Sequence, residues 1–385
     1  MRKSLALALL LALTSVGLSG CWDYRSLNEM SMVMGMAVDH DEETNMFKVS
    51  FEIADLANSS KDSAMNARLI ETEGTTVFDC VRNAKKKLIS KLYFAHMEVV
   101  VFGENMARDF GILPAIDWLM RDAEVRETTV VLIAKGTDAH QFLLTEGIDQ
   151  TILAPELQGI IIDDNEVTSS TVYLKLYEVF SVLHCSGTAL SLPAFSRTVN
   201  DGKPAVEADG TAVFDGDKLT GFLSPEETKY LLLAQGKAKG GVIPFSANGS
   251  DVDDTTFEIS GAKAKTSFTY EDGVLTMRVD VDLEVFLAET MCDIDVMDET
   301  HIDDLEKRAG DMVAAKIETV IGKLQTQFGA DILGFGGIIH QEDFKLWHEL
   351  RPGWTLMFPD ARVAVSAKVH ILNTATIRAK QEDIE

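Results

Sequence analysis

Positive charge is what this chain has least of. Its 385 residues hold 35 lysines and arginines against 61 aspartates and glutamates, a formal net charge of −26. That balance excludes polyanionic nucleic acid as a partner, since binding it depends on lysine and arginine displacing counterions from phosphates. By the same reasoning an anionic membrane surface repels the body of the protein. Cysteine is scarce too. Four residues, Cys21, Cys80, Cys185 and Cys292, exclude a disulfide framework, and no spacing among them resembles a zinc site. Only 8 prolines, no low-complexity tract and no internal repeat leave a chain that is 46% hydrophobic and long enough for two or three packed domains.

Catalytic signatures are missing as well. There is no G-x-S-x-G elbow and no H-E-x-x-H. His96-Met97-Glu98 has the H-x-E shape of zinc deaminases but lacks the P-C-x-x-C partner. On a strand, His96 and Glu98 would share a face and form a polar edge. Asp251, Asp253 and Asp254 fail as a calcium loop because Thr256 stands where glycine is required, and Asp39-His40-Asp41 fails likewise with Thr44. Gly334-Phe335-Gly336-Gly337 lacks the third spaced glycine of a dinucleotide site and reads as a helix stop passing into a tight turn. No catalytic, cofactor-binding or metal-ligating residue is expected.

What is present begins at the N-terminus. Arg2 and Lys3 precede an uncharged apolar run, too short for a comfortable membrane span, and small residues lead to Leu18-Ser19-Gly20-Cys21. That is a lipobox, so residues 1–20 are expected to be removed and Cys21 to carry a covalent diacylglyceryl lipid, the one non-protein group expected. Two acyl chains suffice for stable anchoring. The body is then expected to stand off the bilayer without help from a polybasic patch, with Trp22 at the headgroup level.

Along the chain, residues 31–39 and 47–53 read as a β-hairpin, residues 75–90 as a helix and 92–103 as a strand. Cys80 shares a helical face with Val77, Val81, Ala84 and Leu88, the pattern of a buried thiol. A second helix is expected over 105–122, interrupted near Pro114, then a strand at 128–134. A polar stretch at 196–207, containing Asn200-Asp201-Gly202, marks an expected boundary. Residues 211–223 read as strand, turn and strand, and Ser224-Pro225-Glu226-Glu227 as a helix start. Leu275, Met277, Val279, Val281 and Val285 share a face after the Asp272-Gly273 turn. Ile302, Leu305, Ala309, Met312, Val313, Ile317, Val320, Ile321 and Leu324 mark a long helix, and Val363, Val365, Ala367, Val369 and Ile371 a last strand. The expected organisation is a leader at 1–20, an N-terminal α/β domain at 21–200, a small middle domain at 208–246 and a C-terminal α+β domain at 247–385. In the last, a long helix covers an antiparallel sheet.

Read in order, these segments resemble the Ger(x)C family, the lipoprotein C subunit of germinant receptors in spore-forming bacteria. The resemblance runs through Gly20-Cys21-Trp22-Asp23-Tyr24-Arg25, Leu92-Tyr93-Phe94-Ala95-His96, Arg121-Asp122-Ala123-Glu124-Val125-Arg126, Gly210-Thr211-Ala212-Val213-Phe214 and Ala330-Asp331-Ile332-Leu333-Gly334-Phe335-Gly336. It implies a three-domain α+β lipoprotein with mixed or antiparallel sheets packed with helices. It further implies a place on the outer face of the inner spore membrane, beside receptor A and B membrane subunits. A non-enzymatic role in receptor assembly or signalling is expected. The mixed-charge residues Arg121, Asp122, Glu124 and Arg126, with Trp22, are the expected partner contacts. The alternative is a lipid-anchored solute-binding protein that itself captures a nutrient, which would show two similar lobes with a cleft between them.

Overall fold

The computed structural model describes residues 29–55, 67–145, 147–148, 152–249, 252–291 and 298–373. The leader, Cys21, Trp22 and Cys292 lie outside the described residues. Strands β1 (Met30–Asp41) and β2 (Met46–Ala54) form the expected antiparallel hairpin, and β3 (Ala67–Gly74) adds to β2. Helix α1 (Val77–Ala84) starts where the Thr76 hydroxyl accepts the Asp79 amide at 3.1 Å. It is shorter than expected, because the chain from Lys91 must extend as β4 (Lys91–Tyr93) to pair with residues 30–32 of β1.

The single strand expected over 92–103 is two strands on one edge of β1, namely β4 and then β5 (Val99–Gly103). Residues 94–98 step out between them, sinking Phe94 and Met97 into the core and leaving His96 exposed. His96 and Glu98 therefore form no shared strand face. The backbone of Glu98 instead bridges two strands, its N–H donating to Met34 and its carbonyl accepting from Val130.

The second helix breaks as expected. A wide-turn segment at Met106–Phe110 ends on Gly111, at a φ of 95°, and α2 (Leu113–Arg121) restarts with Pro114 in its first turn. β6 (Val130–Ala134) lies parallel to β5, and both are unbroken buried runs, as parallel strands covered on both faces require. The cover is helical. α3 (Ala139–Leu143) and α4 (Leu153–Val167) lie on one face, and α1, α2 and α5 (Leu176–His184) on the other. β7 (Ser191–Asn200) joins β6 in parallel, and β8 (Lys203–Asp215) and β9 (Lys218–Leu223) follow as an antiparallel meander. The order β3-β2-β1-β5-β6-β7-β8-β9, with β4 beside β1, makes one sheet of nine strands.

Residues 196–207 fall inside that sheet. Asp201 and Gly202 take φ values of 49° and 75° at the tip of the β7–β8 hairpin, the geometry of a two-residue type I′ turn. The stretch 208–246 is divided between two sheets, with β8 and β9 in the first and β10 (Val242–Phe245) opening the second. Between them α6 (Pro225–Ala234) starts on a reciprocal cap. The Ser224 amide donates to Glu227 Oε2 at 2.7 Å, and the Glu227 amide donates to Ser224 Oγ at 3.2 Å.

The second sheet runs β10-β11-β12-β13. β11 (Thr255–Glu271) and β12 (Val274–Thr290) are joined by Asp272 and Gly273, again with positive φ. Helix α7 (Glu299–Lys323) lays Leu305, Ala309, Val313, Ile317 and Val320 on one sheet face. The chain then crosses through α8 (Phe335–Glu342), α9 (Phe344–Leu350) and α10 (Trp354–Met357) before β13 (Arg362–Asn373) returns parallel to β12. The long helix thus covers the sheet as expected, while the final strand pair is parallel because a crossover rather than a hairpin precedes it. A helix of 25 residues spans ~38 Å, matching ~40 Å for a strand of 12 residues. Among the described residues no helix is long and apolar enough to cross a membrane.

Two buried carboxylates fix the helices on the first sheet. Asp39, on β1, accepts the amides of Ala139 and His140 at 2.8 and 2.9 Å, the first turn of α3. Glu52, on β2, accepts those of Leu153 and Ala154 at 2.8 and 2.9 Å, the first turn of α4. The N–H groups that a helix start leaves unpaired are thereby satisfied away from water. Gly103 makes room, since a Cβ there would overlap Asp39 Oδ1. Burial outweighs the amide bonds, pushing Asp39 up to about 6 and Glu52 up to about 7.

Ile317, fully buried on the sheet-facing side of α7, should cost about 2–5 kcal/mol on replacement by alanine, read from denaturant unfolding, whereas the exposed Glu318→Ala should change stability by about 0.5 kcal/mol or less. A second expectation concerns pH. Folded Glu52 keeps its proton between its ordinary value and about 7, where the unfolded chain has released it, so its contribution to stability falls as pH rises through that window. Relative to Glu52→Gln, the wild type should lose up to about 3 kcal/mol between acid and mildly alkaline pH. Parallel curves of melting temperature against pH for the two proteins would contradict this.

Candidate functional site

A cleft of about 650 Å³ opens beside α1. Phe78, Val81, Arg82 and Lys85 of α1 and its exit form one wall, and Asp122, Ala123 and Glu124, after α2, form the other. Leu88, Leu92 and Phe94 supply apolar lining. The four mixed-charge residues expected as partner contacts separate here. Asp122 and Glu124 face the cleft, with the Glu124 amide donating to Asp122 Oδ1 at 2.9 Å and the Glu124 carboxylate paired with Lys91. Arg121 turns away to Asp117, 2.9 Å off along the same helix. Arg126 lies near Glu98, whose carboxyl is pushed up by burial and pulled partly back by that guanidinium.

Sequence reasoning passed over the other charged wall. From Cys80 to Met97 the chain has no aspartate or glutamate, and within that stretch stand Arg82, Lys85, Lys86, Lys87 and Lys91. In a chain so acidic, this run is the signal that would have found it. Cys80 behind it is buried as expected, its thiol donating to the Phe47 carbonyl and pushed up to about 12 by burial. Cys185 is a free, exposed thiol.

A second polar node joins the two sheets. The long helix stops at Gly329, and Gly334-Phe335-Gly336 opens α8 rather than merely ending a helix. Its three amides donate to the Asp331 carboxylate at 2.9, 3.0 and 2.9 Å. Burial pushes Asp331 up to about 6 in spite of those bonds. The Asp331 carbonyl accepts the Ala189 amide at 2.8 Å, and the Gly337 amide donates to the Gly187 carbonyl at 3.0 Å, so α8 is tied to the chain entering β7. Trp347 closes over this crossing. A Cβ on Gly336 would sit 2.7 Å from both the Gly187 backbone and the Trp347 ring. Trp354 meets Trp347 edge-on at 5.3 Å. Trp347 and Trp354 are thus core residues, and Trp118 packs edge-on against Phe94 at 5.8 Å. Among the described residues no group of three or more histidine, cysteine or acidic side chains is placed to hold a metal ion.

Comparison with known proteins accounts for both halves. Residues 23–197 match the family described as spore germination protein N-terminal domain, and residues 209–375 match the family described as spore germination B3/GerAC like, C-terminal. The gap between the two matches is the turn end of the β7–β8 hairpin. Spore germination protein B3 of Bacillus subtilis (strain 168) is 23% identical over 370 residues, covering 94% of this chain and 96% of that protein. Spore germination protein KC of the same organism is 23% identical over 396 residues, covering 97% and 96%. The crystal structure of the GerBC protein shares the fold, with a TM-score of 0.59 and 19% identity over 91% of this chain and all of that one. With both halves matched, in order and over nearly its whole length, the chain belongs to the Ger(x)C family of spore germination proteins.

Proposed function

We propose that this chain is the lipid-anchored, non-enzymatic C subunit of a nutrient germinant receptor, acting in receptor assembly or signalling. The observation that carries the reading is collinearity: nearly the whole chain aligns with nearly the whole of relatives named as spore germination proteins. The lipobox ending at Cys21 supplies the tether, and the outer face of the inner spore membrane is where an exported lipoprotein of a spore would sit. Its partners are the membrane-embedded A and B subunits.

The described geometry supports a binding role. The carboxyls of Asp39, Glu52 and Asp331, all displaced upward, are each engaged by helix amides. A displaced carboxyl often marks acid–base catalysis, but here the helix starts occupy the acceptor oxygens. The two sheets also differ in strand number and connection, unlike the duplicated lobes that a solute-binding protein would show.

Spores lacking the gene should show no fall in optical density with one set of nutrients, and wild-type complementation should restore it. Cys21→Ala should fail to restore the response and should leave the membrane fraction. A Cys21→Ala protein that stayed in that fraction and restored full germination would refute the anchor, and unchanged germination of the deletion strain with every nutrient would count against the receptor role.

A further inference from the structure

We propose that the basic face at the exit of α1 docks on the anionic surface of the bilayer to which the chain is tethered, so that the N-terminal half lies against the membrane in one orientation. The inference rests on the anchoring at Cys21 read above, and it replaces the expectation that the body stands off the lipid.

Three observations converge. First, Arg82, Lys85, Lys86 and Lys87 are all exposed, and no acidic residue interrupts the chain around them. Lys91 is held by Glu124, and Lys85 and Lys87 reach the carbonyls of Ile89 and Glu71, contacts that neutralise no charge. Asp122 and Glu124 stand on the opposite wall of the cleft. Second, α1 and the turn after it present apolar side chains to solvent. Ile89 is 100% exposed and Phe78 45% exposed, with the Arg82 guanidinium 4.7 Å above the Phe78 ring. Cations surrounding an exposed aliphatic tip suit the boundary between headgroups and acyl chains.

Third, the face adjoins the tether. Met30 pairs with Lys91 and the hydroxyls of Ser31 and Ser90 are bonded, so the start of β1 lies beside the basic turn. Met30 stands nine positions after Cys21, a reach of at most ~32 Å. A lipid on Cys21 therefore holds this face within that reach of the headgroups, at the point where the body begins. Each lysine close to an anionic leaflet adds attraction that decays within a Debye length of ~10 Å. One lipidated residue and one basic patch together give the two contacts needed to fix an orientation.

The test uses the mature, acylated protein reconstituted in vesicles of equal parts phosphatidylglycerol and phosphatidylcholine, or of phosphatidylcholine alone. Amide hydrogen exchange over residues 82–91 should be roughly fivefold slower or more on the anionic vesicles. High salt, or the combined changes Lys85→Gln, Lys86→Gln and Lys87→Gln, should abolish the difference while leaving the melting temperature in place. Equal exchange on both vesicles would overturn the proposal, as would protection that survives the triple change. Mass spectrometry of the Cys21 peptide separates this result from the anchor itself. Should the cysteine carry no acyl group, salt-sensitive sedimentation of the protein with the anionic vesicles would still support the face, and its absence would overturn it.

Discussion

The bond between a carboxylate on a strand and the first amides of a helix is the contact on which the first layer of this protein depends. α3 and α4 lie on the sheet with their starts turned inward, where unpaired N–H groups and the positive end of the helix dipole would be costly. Asp39 and Glu52, on neighbouring strands, meet those groups at hydrogen-bond distance. The geometry requires absent side chains as much as present ones. Gly103 leaves space for Asp39, and Gly35 lets the Ala154 methyl and the Glu52 carboxylate come close to β1. Asp331 repeats the solution in the second half, holding the start of α8. Part of the acidic composition is thus internal and directional, and it says nothing about the surface.

That point explains what was legible in the sequence. Elements with one period and one buried face were readable: the long helix from Leu305 to Ile321, the alternation from Val363 to Ile371, and the Asp272-Gly273 turn. Ser50 and Glu52 were not, because alternation along β2 reads them as a solvent face. Both are buried, since α3 and α4 cover that side of the sheet. Periodicity reports a strand's own pattern and carries no information on what a distant helix will later cover. The split of residues 92–103 was hidden for a similar reason: Phe94 and Met97 are as apolar as a strand interior, and only the pairing with β1 shows that a step of six residues from Tyr93 to Val99 spans three of β1, from Met32 to Gly35.

The site residues follow the same division. The mixed charges at 121–126 stood out locally, yet the structure gives Arg121 an ion pair on its own helix and places Asp122 and Glu124 in a cleft. The basic run at 82–91 was obscured by a global average: a net charge of −26 describes the whole chain and conceals a cationic turn of ten residues. The boundary near residue 200 is a turn between paired strands, so the two matched halves share a hydrogen-bonded ladder as well as the crossing of Gly187, Gly336 and Trp347.

β1 also has a mechanical meaning. It is the first described strand and lies in the interior of its sheet, flanked by β2 on one edge and by β4 and β5 on the other. A force applied at the N-terminal end of the chain enters the body along that strand. It loads the hydrogen bonds on both edges together, in shear, instead of opening them one after another as a pull across an edge strand would. The same strand carries Asp39, so strain along it is delivered to the start of α3. A protein held from its N-terminus is in this way gripped by the middle of its own sheet, and tension is shared across the layer before any single contact yields.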